Sequence, residues 1–305
     1  MKELSVIIVN WNTKNVLKNC IISIYKTVKK IEFEVIVVDN GSTDGSAEMI
    51  RKEFPYVKLI ENRRNRGFAA ANNQAIKKAE GAFILLLNSD TVVLDNAIEK
   101  TLSFIKNKKD AGAVGCKLLN ADYSLQPSCY NFYSFFKRAI LRKIPKFLIP
   151  SKYYKNLESL IISWGYDEIR DVDYVRGAFL MVRNTIFDEI GLFDESFFMY
   201  GEEEDLCYRM KNAGWKVYFY PDAQIIHLKG ASVKKKETEI LQRVVTDMLF
   251  LKKHHSLCSY LTIRFLVITK IMFGYIIQKL LNGETKETKF LDSKLKVVCS
   301  LTYLY

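Results

Sequence analysis

The first third of the chain alternates between short apolar runs and helix-like segments, and this alternation constrains the fold more than any other feature of the sequence. Runs rich in Val, Ile and Leu occur at residues 4–9, 33–38, 57–60 and 82–87. Helix-like segments follow them at residues 14–27, 44–53, 67–79 and 95–107. Since uninterrupted apolar runs suit strands that are buried on both faces, the order predicts an α/β fold with a mainly parallel central sheet flanked by helices. Further strand-like runs occur at residues 112–118, 178–183 and 216–220.

The composition limits the class of protein. The chain has 305 residues, of which 49% are hydrophobic, and this is enough to form a full core. Its net charge of +12 suits a protein that binds phosphorylated substrates, nucleic acid or anionic lipid. The six cysteines form no C-x-x-C pair and the N-terminus lacks the pattern of a signal peptide, so we expect a catalytic part in the reducing cytoplasm.

Polar residues stand at the ends of three predicted strands, where a parallel α/β sheet binds its ligands. The strand ends are Asn10-Trp11-Asn12, Asp39-Asn40-Gly41-Ser42 and Asn88-Ser89-Asp90. Asp39 can accept a hydrogen bond from the N3–H of uracil or thymine, and Trp11 offers a face on which a base can stack. A plain turn or helix cap is the alternative reading of Ser42. Neither G-x-G-x-x-G nor a P-loop motif occurs, which argues against a dehydrogenase and a P-loop enzyme.

Three segments resemble family 2 glycosyltransferases, namely Ser5–Asn12, Val37–Gly45 and Asn65–Asn72. Within that family they are most similar to the rhamnosyltransferase-like branch that builds bacterial surface polysaccharides, and the resemblance extends from about residue 3 to about residue 232. It implies the GT-A fold of nucleotide-diphospho-sugar transferases, a nucleotide-sugar donor, a divalent metal and inversion at the anomeric carbon. The residues that it assigns to donor binding are Asn10, Trp11, Asn12, Asp39, Asn40, Ser42, Asn65, Gly67, Asn88 and Asp90.

The resemblance also implies a metal site. A divalent cation, Mg²⁺ or Mn²⁺, would neutralise the diphosphate of the leaving group. The family usually carries an Asp-x-Asp motif, and the segment Leu87–Asp90 retains only the last Asp, so Asp90 is the expected ligand. The run from Tyr220 to His227 resembles the family's late strand, which ends in a histidine, and His227 is therefore the second expected ligand. A lone histidine near the end of a strand is the alternative interpretation.

The acid-rich segment Glu202-Glu203-Glu204-Asp205 supplies the expected catalytic base. An inverting transfer needs one base to take the proton of the acceptor hydroxyl. The family often has Glu-Asp where this chain has Glu202-Glu203, and its second acid is the base, so Glu203 is the candidate base and Glu202 either assists or binds the acceptor. Helical spacing places Glu203 on the apolar side of its helix and lets Asp205 pair outward with Arg209. Gly177 and Ala178 resemble the family's strand below the acceptor.

Two regions combine cations with apolar residues and favour contact with a membrane surface. We expect a catalytic domain at residues 1–250 with a basic insertion at 123–157 that is not a strand of the sheet, followed by a helical tail at 251–305. Residues 257–281 are largely apolar but contain Arg264 and Lys270, which would be costly at the centre of a bilayer. The sequence therefore favours a peripheral position on the inner face of the cell membrane.

The residues, together with what the resemblance implies, predict an inverting, non-processive glycosyltransferase. The expected donor is dTDP-rhamnose or a UDP-sugar, and the expected acceptor is a hydroxyl of a glycan or a lipid-linked sugar. A processive synthase is disfavoured because no Q-x-x-R-W motif occurs. The single Asp of the metal motif and the Glu-for-Asp change leave open a catalytically inactive nucleotide-sugar-binding subunit. No nucleic-acid-binding motif occurs, and homo-oligomerisation stays open.

Overall fold

The computed structural model describes residues 2–132, 164–228 and 236–300. Its first elements are β1 (Leu4–Asn10), α1 (Lys14–Thr27), β2 (Phe33–Asp39), α2 (Ser46–Glu53), β3 (Lys58–Glu61), α3 (Phe68–Ile76), β4 (Phe83–Asn88), β5 (Thr91–Val93) and α4 (Ala97–Asn107). They continue with β6 (Ala111–Leu119), β7 (Leu125–Gln126), β8 (Cys129–Tyr130), β9 (Arg170–Val172), β10 (Tyr174–Val175), β11 (Phe179–Arg183), α5 (Thr185–Ile190), α6 (Glu202–Asn212) and β12 (Lys216–His227). The last elements are α7 (Lys236–His254), α8 (Leu257–Asn282) and α9 (Lys286–Ser300).

The central sheet has the order β3-β2-β1-β4-β11-β6-β12-β5. Its first four strands in this order are parallel, as the alternation of apolar runs and helices predicted. Strand β11 runs antiparallel between β4 and β6, while β12 is parallel to β6. The register aligns the strand ends, with Asn10 opposite Asp39 and Val9 opposite Asn88. The predicted α/β architecture is therefore confirmed, and its polar strand ends lie at one edge of the sheet.

Alternating side chains of each central strand pack on opposite faces of the sheet. In β1, Ile8 belongs to the core that also contains Leu17 and Ile21 of α1. Its neighbour Ile7 belongs to the core on the other face, with Ala71 of α3. Burying one such aliphatic side chain contributes about 1.5–3 kcal/mol, so both layers of helices are held by the strands between them. This rigid double layer fixes the loops at the ends of the strands.

The expectation that residues 123–157 contain no strand of the sheet is wrong for their first part. Strand β7 pairs antiparallel with β6, with Gln126 opposite Leu118. The chain reverses direction in a turn before β7. In this turn the backbone N–H of Asn120 donates to the backbone carbonyl of Ser124 at 2.9 Å. A two-residue strand has too few residues for an apolar pattern, and the turn residues were therefore not recognised as a hairpin. Residues 133–157 of the expected insertion lie outside the described residues.

Strand β12 is longer than predicted and changes register along its length. It pairs with β6 up to Tyr220, and the pairing resumes at Gln224. The intervening segment, Pro221–Ala223, forms a bulge that suits a proline, because this residue has no N–H to donate to the ladder. Beyond the bulge, β12 pairs antiparallel with β5, and this register sets His227 opposite Thr91.

The described residues divide into two compact units. The first contains the central sheet and the helices α1–α6, and the second contains Met199–Gly201 together with α7, α8 and α9. Helix α7 extends across residue 250, where we expected the catalytic domain to end. Within the second unit, the guanidinium of Arg243 lies 4.2 Å from the centre of the Tyr200 ring. Of the helices that the structure describes, α8 alone is long and apolar enough to cross a membrane.

Candidate active site

We call the carboxyl ends of β1, β2 and β4 the donor edge, because the sequence predicts that they bind the nucleotide-sugar donor. Hydrogen bonds around Asp39 lie at its centre. The amide of Asn10 donates to Asp39 Oδ2 at 3.0 Å and to Ser42 Oγ at 3.1 Å. The backbone N–H of Ser42 donates to Asp39 Oδ1 at 2.8 Å. Both carboxylate oxygens therefore have a partner before any ligand binds, and the Asp39 side chain is held in one orientation.

Asn12 and Trp11 follow directly after β1. Asn12 has a positive φ of 54°, and its backbone N–H donates to Ser42 Oγ at 2.9 Å. Its side-chain oxygen accepts from the backbone N–H of Thr43 at 2.7 Å. These two hydrogen bonds connect the loop after β1 to the loop after β2. The left-handed backbone conformation of Asn12 directs the chain into α1. The Trp11 ring is partly exposed beside this junction.

Asn40 connects the donor edge to the loop before α3. Its side-chain nitrogen donates to Asn65 Oδ1 at 2.9 Å and to the carbonyl of Gly67 at 3.0 Å. Gly67 has a φ of +87°, and a Cβ there would lie 2.5 Å from the carbonyl oxygen of Phe198. Only glycine fits this position, so close packing against the backbone is sufficient to explain Gly67 without a ligand. The structure thus brings together Asn40 and Asn65, both of which were expected to bind the donor.

Asp90 and His227 come together although they are far apart in the sequence. The pairing of β5 with β12 places His227 Nε2 3.4 Å from Asp90 Oδ1. The side-chain nitrogen of Asn88 lies 3.3 Å from the same ring nitrogen. Asp90 is 7% exposed and His227 6% exposed, so the pair is largely shielded from water. The structure thus brings together both residues that the sequence indicated as metal ligands.

The atoms of this pair fit a divalent cation. Two ligands about 2.1 Å from one octahedral ion at right angles lie about 3 Å apart, close to the observed separation. No group of three or more His, Cys, Asp or Glu with metal-binding geometry occurs in the part of the chain that the structure describes. A cation at Asp90 and His227 would therefore take its remaining ligands from the diphosphate and from water, as open sites for Mg²⁺ commonly do.

A chain of hydroxyl groups links the segment that carries Asp90 to the donor edge. Thr13 Oγ1 lies 2.9 Å from Ser89 Oγ and donates to Asn10 Oδ1 at 2.6 Å. Thr13, Ser89 and Asn10 are all buried. The segment that carries Asp90 is therefore connected through hydrogen bonds to the loop that orients Asp39. Sequence analysis missed Thr13, because a single threonine before a helix is indistinguishable from a helix cap.

Glu203 stands at the start of α6, beside the strand expected below the acceptor. A Cβ on Gly177 would lie 3.8 Å from Glu203 Cβ and 3.9 Å from Glu203 Cδ. Among the described residues, Glu203 Oε2 has no hydrogen-bond partner although the atom is buried. Gly177 and Ala178 were expected in a strand, but they form the turn before β11. The carbonyl of Ala178 accepts a hydrogen bond from the Asn88 backbone N–H at 3.1 Å, which joins this turn to the donor edge. The Ala178 side chain itself belongs to the core.

The other acids of α6 differ from the predicted arrangement. Glu202 is buried, at 4% exposed. Asp205 pairs with Arg209 at 2.9 Å as predicted, but the outward direction is wrong, because the Asp205 side chain is fully buried. The Arg209 guanidinium also donates to three backbone carbonyls at the end of α5 and directly after it, and these bonds keep the ion pair buried. Burial raises the pKa of the nearby Cys207 thiol to about 12, so this thiol stays neutral and cannot act as the base.

Two further features of the site were not predicted from the sequence. The buried side chain of Gln126 contacts the His227 ring, and nothing in its sequence context indicates this. Arg64 and Arg66 line an open depression of about 320 Å³ beside Asn65. A run of three arginines within residues 63–66 is a recognisable signal for an anion-binding loop, and our sequence analysis did not use it.

Comparison with known proteins identifies the class of enzyme. Residues 5–149 match the family model described as glycosyl transferase family 2. This part of the chain is thus similar to family 2 glycosyltransferases. The chain is also 26% identical over 234 residues to an N-acetylglucosaminyl-diphospho-decaprenol L-rhamnosyltransferase of Mycobacterium tuberculosis, an alignment that covers 73% of this chain and 75% of the relative. This glycosyltransferase thus has relatives among rhamnosyltransferases.

Solved structures confirm the GT-A fold. The mannosyltransferase PcManGT from Pyrobaculum calidifontis, solved with GDP-Man and Mn²⁺, superposes with a TM-score of 0.58 at 14% identity, covering 99% of this chain and 87% of that one. GalNAc-T7, solved with UDP, GalNAc and Mn²⁺, superposes with a TM-score of 0.61 at 16% identity, covering 98% of this chain and 56% of that one. Both neighbours contain a divalent metal, so a metal site in this glycosyltransferase is consistent with its fold.

Proposed function

We propose that this glycosyltransferase transfers one sugar per encounter, with inversion, from a nucleoside-diphosphate donor to an acceptor hydroxyl. The observation that carries the proposal is the shielded pair of Asp90 and His227, which is linked through Thr13 to the Asp39 network. In this proposal, Asp39 and Asn10 bind the nucleoside, Asp90 and His227 hold the cation, and Glu203 takes the proton of the acceptor. The cation, when bound, neutralises the charge of the departing diphosphate.

The position of Glu203 supports its role as the base. A base must have a free lone pair directed at the acceptor, and Glu203 Oε2 is a buried carboxylate oxygen without a hydrogen-bond partner in the described part of the chain. Gly177 beside it has no side chain, so an acceptor sugar can approach the backbone there. Glu202 would assist by binding the acceptor.

For the substrates, we infer a pyrimidine nucleotide donor and an acceptor carried on a glycan or a lipid. The carboxylate of Asp39 suits the N3–H of thymine or uracil, which favours dTDP-rhamnose or a UDP-sugar over guanine or adenine nucleotides. The mycobacterial relative is named for transfer of L-rhamnose to a decaprenol-linked N-acetylglucosamine. That name supports rhamnose as the sugar and a lipid-linked acceptor in cell-envelope polysaccharide synthesis.

A binding and turnover experiment tests this function. We expect dTDP and UDP to raise the melting temperature more than GDP and ADP, and to do so only with Mn²⁺ or Mg²⁺ present. A nucleotide at one hundred times its Kd adds about 2.7 kcal/mol to the free energy of unfolding. Asp90→Ala and His227→Ala should lose the effect of the metal and all transfer. Metal-dependent nucleotide binding without any release of nucleoside diphosphate from candidate sugar donors would instead support an inactive nucleotide-sugar-binding subunit.

We further propose that α8 rests on the inner face of the cell membrane. Its exposed apolar side chains include Phe265 at 65%, Phe273 at 67% and Leu280 at 80% exposed. The Arg264 guanidinium donates to the backbone carbonyls of Val298 and Cys299 at the end of α9, so this charge is bound inside the second unit. Such an apolar face, with cationic residues along the unit, suits anionic lipid.

Vesicle sedimentation tests the membrane contact. We expect the full-length protein to sediment with vesicles that contain anionic phosphatidylglycerol and less with purely zwitterionic vesicles. Phe265→Glu combined with Phe273→Glu should reduce sedimentation at least about tenfold, because each change removes an aromatic anchor and adds a like charge to the lipid. The matched control is Ile22→Glu combined with Tyr56→Glu, which makes the same change in charge at two exposed apolar residues of the first unit and should leave sedimentation unchanged. If the phenylalanine variant sediments as the wild type does, α8 is not the contact.

A further inference from the structure

Gln126 is a buried polar residue whose side chain hydrogen-bonds to both the backbone and the ring of His227. The residue is 0% exposed. Its Nε2 donates to the backbone carbonyl of His227 at 3.0 Å and to Asn120 Oδ1 at 2.9 Å. Its Oε1 lies 2.6 Å from His227 Nδ1. Since β7 and β12 both flank β6, this contact spans the strand between them.

These contacts fix which atom of the Gln126 amide faces the ring. A backbone carbonyl can only accept a hydrogen bond, so the group that faces the carbonyl of His227 must be the donor nitrogen of Gln126. The oxygen is then on the side of the imidazole, and because this oxygen can only accept, His227 Nδ1 must carry the proton. The neutral ring is thereby restricted to the tautomer in which Nε2 is unprotonated.

The unprotonated Nε2 faces Asn88 and Asp90. It accepts a hydrogen bond from the side-chain nitrogen of Asn88 at 3.3 Å and lies 3.4 Å from Asp90 Oδ1, so a bound cation would take the place of the Asn88 N–H at this lone pair. In the opposite tautomer, Nε2 would carry a proton and could not bind a cation. A lone pair and a carboxylate oxygen that face each other in a shielded site are stabilised by a cation between them.

We infer that Gln126 is a positioning residue for the metal site, because it fixes His227 in the only neutral tautomer that can bind a cation through Nε2. This inference rests on the proposed metal role of Asp90 and His227. Outer partners that orient a ligating histidine typically contribute about 10–100-fold to metal affinity. A purely structural role is the competing explanation, because any buried amide must satisfy its hydrogen bonds.

Nitrogen NMR of the metal-free protein tests the tautomer directly. The chain has three histidines, so His227 can be assigned with a His227→Ala spectrum. At alkaline pH, where imidazole is neutral, we expect the wild type to show a protonated Nδ1 and a bare Nε2. Gln126→Met keeps the length of the side chain and removes both polar atoms, and it should give a mixture of tautomers. An unchanged tautomer in this variant would overturn the inference.

Metal binding provides the second readout. We expect Gln126→Met to weaken Mn²⁺ binding, measured by electron paramagnetic resonance with UDP present, by about 10–100-fold. The matched control is Asn120→Ala, which removes the other partner of Gln126 Nε2 but leaves the ring contact, and its Mn²⁺ affinity should stay within about twofold of the wild type. Equal losses in both variants would assign Gln126 a structural role only.

A third variant keeps the inference testable if Gln126→Met does not fold. Gln126→Glu retains an oxygen that accepts from Nδ1–H, and its second oxygen can donate to the carbonyl of His227 when the carboxyl is protonated. In that form the tautomer and the Mn²⁺ affinity should be preserved within a few fold. Loss of the Nδ1 tautomer in this variant would contradict the inference. A wild type that binds no Mn²⁺ with any nucleotide would defeat the proposed metal site itself, whereas the tautomer of the metal-free protein would still report on Gln126.

Discussion

The donor edge and the start of α6 both present carboxylates to the candidate active site, but they hold them in different ways. Both oxygens of Asp39 already have hydrogen-bond partners, from Asn10 and from the backbone of Ser42. Glu203 has a buried oxygen without such a partner among the described residues. A group that must bind a ligand in one geometry gains from being fixed beforehand, whereas a group that must accept a proton needs a free lone pair. The difference therefore supports the proposal that Asp39 binds a ligand and that Glu203 accepts a proton.

The largest expected effect is at Glu203. Glu203→Gln keeps the shape of the side chain but cannot accept a proton, so transfer should fall by about 10²–10⁴-fold. The Kd for the donor nucleotide should barely change, because the base faces the acceptor. Steady-state rates and nucleotide titrations measure the two effects separately.

Neighbouring acids provide the controls for Glu203. Glu204→Gln should be nearly silent, because this residue lies about 100° further round the helix. Glu203→Asp restores the acid that is usual in the family but shortens the reach, so it reports whether the site requires the longer side chain. If Glu202→Gln abolished transfer while Glu203→Gln remained active, the base would be Glu202 and the comparison would have to be redrawn.

A substitution of Asp39 should lower the affinity for the donor and leave the saturated rate unchanged, and its effect should be smaller than that of Glu203→Gln. Asp39→Asn replaces one carboxylate oxygen by an NH₂ group. This group cannot accept the hydrogen bond that Asn10 or Ser42 donates to that oxygen. Losing a hydrogen bond to a charged group costs about 1.5–3 kcal/mol, so donor affinity should fall by about 10–100-fold while the maximal rate at saturation changes little. Initial rates over a range of donor concentrations distinguish the two. A fall in the saturated rate with an unchanged KM would place Asp39 with the reactive groups.

Ser42 should have a still smaller effect on the same edge. Its hydroxyl oxygen accepts from Asn10 Nδ2 and from the backbone N–H of Asn12. Ser42→Ala leaves these two partly buried donors without that partner, at a cost of about 0.5–1.5 kcal/mol. We expect a rise of about 2–10-fold in the KM for the donor, with a slightly lower melting temperature. A wild-type KM would mean that Ser42 supports only the turn.

The smallest effect on activity is expected at the opposite end of β2, at Glu34. Burial alone raises the pKa of this carboxyl, but hydrogen bonds from Lys58, Ser5 and the Glu80 backbone outweigh it and hold the pKa below its usual 4.5. The ion pair between Lys58 Nζ and Glu34 Oε2 measures 2.7 Å. Because the folded pKa is the lower one, the stabilisation is full above the unfolded pKa and is lost as the pH falls through the folded pKa.

Glu34→Gln should therefore change stability without changing catalysis. We expect the free energy of unfolding at neutral pH to fall by about 1–2 kcal/mol, since Lys58 is half exposed and its attraction is screened. The difference between variant and wild type should shrink as the pH falls below the usual pKa of a glutamate. Urea unfolding at several pH values checks this, and a difference that grows towards acid would refute the assigned pKa shift.

The sequence was most informative where local patterns determine the structure. The strands and helices of the first third follow from short-range periodicity, and the in-register ends of β1, β2 and β4 brought Asn10, Asp39 and Asn88 together as expected. The contact between Asp90 and His227 was inferred only through a family resemblance, because it depends on the pairing of β5 with β12. Strand β5 has three residues, too few for any pattern to identify.

Features that depend on distant packing could not be predicted. Gln126 and His227 are 101 residues apart, and neither residue type indicates the other. The burial of Asp205 was missed because helical spacing describes one helix, whereas the carbonyls that hold Arg209 belong to the end of α5 and the residues directly after it. Long-range contacts of this kind are fixed by the tertiary fold and have no short-range signature in the sequence.

The bulge in β12 has a consequence for how this enzyme can be recombined with its relatives. Val217 before the bulge pairs with β9, and His227 after it pairs with β5, so separate partners fix the register on each side. A change of length inside Pro221–Ala223 falls where no ladder pair exists, whereas one lost residue between Gln224 and His227 would turn the imidazole to the other face of the sheet. Residues 221–223 are therefore the junction at which a chimaera could exchange the histidine-bearing end of this strand for that of another glycosyltransferase.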